Sequence, residues 1–136
     1  MAARPHQVAG HAYVSKSDHR DGTAKKSQWV ISVVDEERVF GLAVSSGWTL
    51  GDRAWGLHIE QNKARYLGTS ATDPGPAVNL IVALFEIAAT SHGYPADPRR
   101  SNREKPPTEV QREWLRGPYI RAAAVRKLGQ GQRCRL

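Results

Sequence analysis

The stretch DPGPAVNLIVALFEIAATSHG, residues 73–93, decides the fold, because it holds the longest apolar run of the chain between two backbone breaks. Proline is tolerated in the first turn of a helix, so residues 73–76 are typical of a helix start. Gly93 is typical of a helix stop. Apolar residues between the breaks recur at the spacing of one helical face: Val78, Ile81, Val82, Phe85, Ala88 and Ala89. The stretch therefore predicts a helix from about Ala77 to His92.

This predicted helix is apolar almost all the way round, since Leu80, Leu84 and Ile87 widen its apolar face. A helix of this kind has to be covered on two sides. We expect a sheet on one side and either the C-terminal segment or a second subunit on the other. A homodimer is therefore one of the expected assemblies.

Upstream of this stretch, short apolar runs rich in Val, Ile and Trp are bounded by turn residues, which is typical of strands. The predicted strands are Val8–Ser15, Gln28–Val34, Arg38–Ser45, Ala54–Gln61 and Arg65–Thr69. Residues 35–37 and 61–64 form short polar connections, so consecutive strands are expected to pair antiparallel. The predicted fold class is α+β, with an antiparallel β-meander of about five strands packed on one apolar helix. A basic, helix-turn-helix-like C-terminal extension follows this unit.

Positive charge is concentrated at the C-terminal end. Residues 99–136 hold eleven Lys or Arg and three Glu, a net charge of +8, whereas residues 1–98 have a net charge of −1. Charge and proline content divide the chain into a sheet-and-helix core (1–92), a Pro- and Arg-rich linker or loop (93–107) and a basic helical extension (108–136). A polyanion is the first partner to consider for such a surface, because cations that neutralise phosphates also release condensed counterions.

The extension is expected to contain two short helices. Thr108 is predicted to cap the first, with Gln111 completing a capping box, and Gly117 ends it. Residues 119–128 then form either a second helix or part of a wing-like hairpin around residues 129–131. Three consecutive alanines favour the helix. Two helices joined by a glycine-containing turn have the outline of a helix-turn-helix.

This outline predicts binding of DNA or RNA, chiefly through phosphate contacts. The candidate binding residues are Arg99, Arg100, Arg103, Arg112, Arg116, Tyr119, Arg121, Arg126, Lys127, Arg133 and Arg135. The same basic surface also suits an acidic protein partner, which is an alternative.

A second alternative is a small, toxin-like ribonuclease that needs no metal. The period of two in strand 54–61 places His58 and Glu60 side by side on one exposed face, with Arg53 or Arg65 nearby. A histidine and a carboxylate in this arrangement are able to carry out acid–base cleavage of RNA. Trp48, in the glycine-flanked loop 45–52, is expected to be exposed.

Other classes are disfavoured. The single cysteine, Cys134, leaves no intramolecular disulfide and no cysteine-based zinc site. No glycine-rich phosphate-binding motif joins a strand to a helix, so we expect no nucleotide cofactor. The grouping of His11, Asp18, His19 and Asp21 lacks the spacing of a calcium loop or a helical zinc pair, so we expect no metal. The sequence shows neither a secretory signal nor a membrane span, so the expected location is cytoplasmic, away from membranes.

Overall fold

The computed structural model describes residues 4–136 and is α+β, as predicted. Its helices are α1 (Val33–Ser45), α2 (Thr108–Arg116) and α3 (Ala122–Gly129). Its first five strands are β1 (His6–Val8), β2 (His11–Tyr13), β3 (Gln28–Trp29), β4 (Thr49–Leu50) and β5 (Arg53–Glu60). The remaining strands are β6 (Lys63–Arg65), β7 (Gly68–Thr69), β8 (Asn79–Leu80), β9 (Val82–Glu86) and β10 (His92–Ala96). Short 3-10 turns lie at Ser17–His19 and Asn102–Glu104.

The central sheet has five antiparallel strands, which confirms that part of the predicted fold. Its order is β10-β9-β5-β4, and β6 pairs with the far end of β5. Trp55 lies opposite Leu84, which in turn lies opposite Tyr94. A β1–β2 hairpin and a small β3–β7–β8 sheet complete the strands of the described residues. The strands β4, β5, β9 and β10 lie side by side in chain order, but of the five strands only β5 and the end of β6 coincide with strands predicted from the sequence.

The prediction of a helix over residues 77–92 is wrong, because this stretch forms β8, β9 and the start of β10. Residues 82–85 are at most 1% exposed, although their side chains alternate between the two faces of the sheet. A strand buried on both faces reads as a continuous apolar run, which periodicity alone does not separate from a buried helix. The expectation of a homodimer rested on covering that helix, and the stretch is covered within this chain.

The helix that packs across the face of the central sheet is α1, at residues predicted to form two strands and a charged turn. Ser32 is its N-cap and accepts a hydrogen bond from the Asp35 amide at 3.1 Å. Buried side chains then follow the period of a helix: Glu36, Val39, Phe40 and Ala43. The buried acidic residue in the first turn hid this period from an analysis based on apolar residues.

α1 lies directly against β5 and β9. A Cβ atom added to Gly56 would lie 2.7 Å from Cγ1 of Val39, so only glycine permits this approach. The rings of Phe40 and Phe85 pack edge to face with their centroids 5.2 Å apart. Burial of these aromatic groups fixes the helix on one face of the sheet.

The basic helices α2 and α3 belong to the same hydrophobic core. They contribute the buried side chains Val110, Trp114, Ala124, Val125 and Leu128. Trp48 is buried rather than exposed, since its ring packs edge to face against Trp114 at 5.9 Å between centroids. The surface that carries the chain's positive charge is thus the outer side of a packed layer.

Three predictions for the C-terminal third can be compared with the observed strands, caps and helices. Residues 93–96, predicted to begin a linker or loop, belong to strand β10. Thr108 does not cap α2: Pro107 occupies the N-cap position, and Gln111 Nε2 donates to the Pro106 carbonyl at 2.8 Å. The second basic helix forms, as favoured over the wing hairpin. Within residues 4–136, no helix has the length and apolar character needed to cross a bilayer.

Candidate nucleic-acid interface

The outer side of α3 is a narrow cationic face. Ala124, Val125 and Leu128 are buried, so the helix is anchored along one side. Its exposed residues lie four apart in two adjacent rows on the other side: Ala122 and Arg126, and Ala123 and Lys127. We call these four residues the α3 face. Two small side chains and two long cations give a surface that a polyanion is able to approach closely.

Acidic residues are missing from this part of the sequence: none occurs between Trp114 and Leu136. Three of the ten cations predicted to bind nucleic acid form ion pairs with acidic residues of the protein: Arg103 with Glu86, Arg116 with Glu113 and Arg133 with Asp97. The other seven have no ion pair within residues 4–136: Arg99, Arg100, Arg112, Arg121, Arg126, Lys127 and Arg135. Most of the predicted cations are therefore not neutralised by the protein itself.

The predicted residues do not form one cluster. Arg99 and Arg100 lie beside Arg133 around a cavity of about 540 Å³, which is also lined by Asp97 and residues 73–76. Arg133 is held there by two hydrogen bonds to Asp97, and these raise the pKa of its guanidinium above the usual range. Its charge is therefore neutralised by Asp97 rather than free for a ligand.

Tyr119 and Arg121 line a second cavity, of about 350 Å³, together with two cations that the sequence analysis did not place in the binding set, Lys63 and Arg65. The Ala64 amide donates to the Tyr119 carbonyl at 2.8 Å and so joins β6 to the connection between α2 and α3. This contact spans a long separation in the chain, and no local pattern points to it. We call this space the Tyr119 cavity.

The His58–Glu60 pair is present, with the two side chains on one face as predicted. His58 Nε2 lies 3.0 Å from Glu60 Oε1. His58 is buried rather than exposed, because α1 covers this part of β5. A cavity of about 370 Å³ adjoins the pair and is lined by Arg38 of α1. Arg65 is also near, as predicted, because it lies opposite His58 in the β5–β6 pairing.

A further polar row crosses the sheet at one end of β9. Glu86 lies opposite Arg53 on one side and His92 on the other, and Arg103 forms an ion pair with it. His92 Nε2 is 3.5 Å from Glu86 Oε2, and burial lowers the pKa of His92. This row was not predicted from the sequence, because residues 77–92 were expected to form a helix, in which Glu86 has no cross-strand neighbours.

Groups of three or more His, Cys, Asp or Glu side chains that could hold a metal ion do not occur in the described part of the chain. The chain matches no family model, no curated protein and no solved structure. The fold and surface define a class only: an α+β protein whose C-terminal helices present a cationic outer side.

Proposed function

We propose that the protein binds nucleic acid through phosphate contacts made by the α3 face. The observation that carries this proposal is the combination of two exposed cations, two small residues and no acidic residue on one helix side. Phosphate contacts position a protein on nucleic acid and supply affinity without sequence preference. Arg112 and Arg121, neither of which is ion-paired within the described residues, extend the charged surface beyond α3.

The arrangement of α2 and α3 also supports the proposal. Five residues, 117–121, separate the two helices, and the side chain of Gln111 packs against Gly129. A supporting helix that holds a second helix with its outer side free is the arrangement used by helix-turn-helix proteins. In this chain Trp48, which directly precedes β4 of the sheet, packs against Trp114 of α2 and so holds α2 and α3 in place.

The test is a salt titration of binding to a short DNA duplex. Each phosphate contact contributes about 0.9 to the slope of log K against log salt. The variant Arg126→Gln/Lys127→Gln is therefore expected to lower the slope by about 2 and to weaken binding at low salt. The matched control, Lys25→Gln/Lys26→Gln, removes the same charge from an exposed loop and should bind like the wild type.

Equal slopes for the two double variants would contradict the proposal, because nonspecific attraction depends on total charge alone. Absence of binding by the wild type at low salt would also contradict it and would favour the acidic protein partner. Substitution is preferable to truncation here, since removing residues 108–136 would strip Trp114 from the core.

RNA cleavage is a second candidate, favoured by the His58–Glu60 hydrogen bond beside Arg38. The His58 imidazole would take the proton of a ribose 2′-hydroxyl as its oxygen attacks the adjacent phosphorus, and the 5′-oxygen that leaves would take a proton from water. Glu60 would hold the ring, and Arg38 would stabilise the phosphate. Such catalysis predicts that His58→Ala abolishes cleavage while binding persists. Wild-type protein that leaves RNA intact, or His58→Ala protein that still cleaves it, would exclude this role.

A further inference from the structure

The Tyr119 cavity is built from two distant segments. Lys63, Ala64 and Arg65 of β6 form one wall, and residues 118–121 form the other. The Ala64–Tyr119 backbone hydrogen bond fixes their spacing. At about 350 Å³ the cavity lies at the lower end of the range of about 300–1,000 Å³ usual for small-ligand sites.

The charged side chains of this cavity have one sign, and the C-terminal residue, Leu136, also lines it. Three cationic side chains line it, Lys63, Arg65 and Arg121, and no acidic side chain does. The Arg65 guanidinium is poorly satisfied by the protein. Its Nε is buried with no hydrogen-bond partner within residues 4–136, and its Nη2 makes only long contacts of 3.3–3.5 Å. A donor in this state favours an anionic acceptor, because a buried donor without a partner costs free energy.

The cavity also has an aromatic and apolar wall. Tyr119 is half-buried, and Trp48 packs against it edge to face with the ring centroids 6.3 Å apart. Pro118 and Ile120 line the cavity beside Tyr119. Arg121 is fixed in turn, because its Nη2 donates to the Arg135 carbonyl at 3.0 Å. One site thus combines an aromatic and apolar wall with three cationic side chains.

We propose that the Tyr119 cavity binds one nucleotide of a single-stranded nucleic acid. The base lies against Tyr119 and its apolar neighbours, and Lys63, Arg65 and Arg121 contact the adjoining phosphates. A base inside a duplex is stacked and paired and does not reach such a cavity without being flipped out. This inference rests on the proposed nucleic-acid function and specifies its ligand as a single strand.

The position of Arg121 supports a continuous path for the strand. Arg121 lines the cavity and is also the N-cap residue of α3. A strand leaving the cavity past Arg121 meets the first turn of α3, where Ala122 and Ala123 are exposed. Stacking on an aromatic ring with backbone contacts by cations gives binding with little sequence preference.

The test compares three probes by fluorescence anisotropy: a labelled eight-nucleotide RNA, a DNA of the same sequence, and the blunt duplex of that DNA. The wild type is expected to bind the single strands more tightly than the duplex. Loss of one stacked base costs about 1–3 kcal/mol, so Tyr119→Leu should weaken single-strand binding by about 5- to 150-fold. It should leave duplex binding within about twofold, because the α3 face is intact.

Two further variants guard against a folding defect. Lys63→Gln changes only an exposed side chain and should lower the single-strand salt slope by about 0.7, the contribution of one phosphate contact. Tyr119→Phe keeps the ring and should bind like the wild type. Lys25→Gln is the matched charge control for Lys63→Gln.

The outcomes separate this inference from the proposed function. Equal affinity for single strand and duplex, unchanged by Tyr119→Leu and Lys63→Gln, overturns the cavity's role but leaves the α3 face in place. Single-strand binding that depends on Tyr119 but not on Arg126 and Lys127 supports the cavity and overturns the role proposed for the α3 face. No binding of any probe by the wild type overturns both.

Discussion

Arg133 donates two hydrogen bonds to Asp97, from Nε to Oδ1 at 3.1 Å and from Nη2 to Oδ2 at 2.7 Å. The two residues are 36 positions apart, so this pair fastens the C-terminal segment to the end of β10. Asp97 also accepts a hydrogen bond from the Arg99 amide at 3.1 Å. Arg133, which was predicted to bind phosphate, therefore stabilises the fold instead.

We expect Asp97→Asn to lower the free energy of unfolding by about 1.5–3 kcal/mol, the usual value for a hydrogen bond to a charged group. The same change should raise affinity for a polyanion, because it frees the charge of Arg133. Urea unfolding and duplex binding measure the two effects. Glu113→Gln is the control: its pair with Arg116 is exposed and 3.6 Å long, so stability should change by less than about 0.5 kcal/mol. Unchanged stability of Asp97→Asn would contradict the role given to this pair.

A second prediction concerns the buried carboxylate of Glu36. It accepts hydrogen bonds from the Tyr13 hydroxyl, from Ser15 Oγ at 2.7 Å and from Arg20 Nη2 at 2.6 Å. Burial next to this carboxylate raises the pKa of Tyr13 above its usual range. Glu36→Gln leaves Arg20 without its counter-charge, and we expect a loss of about 3 kcal/mol in unfolding free energy.

The neighbouring Glu37 provides the matched control for Glu36. Its partner, His6, has a side chain 64% exposed, and water screens an exposed pair. Glu37→Gln should therefore change stability by less than about 0.5 kcal/mol. Equal effects of the two substitutions in urea unfolding would show that the network around Glu36 does not stabilise α1.

The pH dependence of stability follows from His19. Its Nδ1 donates to the Ser27 carbonyl at 2.8 Å, and its ring stacks on Tyr94 at 5.1 Å between centroids. Burial lowers the pKa of His19 below its usual 6.5, so the unfolded chain binds the proton more readily than the folded one. The stabilisation is complete above about pH 6.5 and is lost as the pH falls through the folded-state pKa.

We therefore expect the urea midpoint to fall between about pH 7.5 and pH 5.5. His19→Gln retains a donor for Ser27 but does not titrate, so its midpoint should fall less. Burial lowers the pKa of His92 as well, and some pH dependence should therefore remain in this variant. A variant midpoint that falls as steeply as that of the wild type would contradict the role of His19.

Local patterns predicted some elements well. The alternation of Trp55, Leu57 and Ile59 identified β5 within one residue at each end, and the run of three alanines identified α3. The β9 assignment failed because burial on two faces removes the polar positions that distinguish a strand from a helix. A buried glutamate likewise disguised the period of α1.

The candidate site was predicted only in part, because some of its features depend on local sequence and others on contacts between distant segments. Net charge and helical spacing are local properties, and they pointed to the arginines of α2 and α3. The pairing of Arg133 with Asp97, and the meeting of Lys63 and Arg65 with Tyr119, depend on tertiary contacts between distant segments. Sequence spacing carries no information about such contacts.

The last prediction tests whether the basic helices are part of the core. Trp114 is 1% exposed and packs on Trp48, which precedes β4. Trp114→Ala should lower the unfolding free energy by about 3–5 kcal/mol, through lost burial and the cavity left behind. Its neighbour Leu115 is 46% exposed, so Leu115→Ala should change stability by less than about 0.5 kcal/mol. Hydrogen exchange should show faster opening in α2 and in β4 together for Trp114→Ala. Faster exchange confined to α2 and α3, with the sheet unaffected, would show that the basic helices fold as a separate unit.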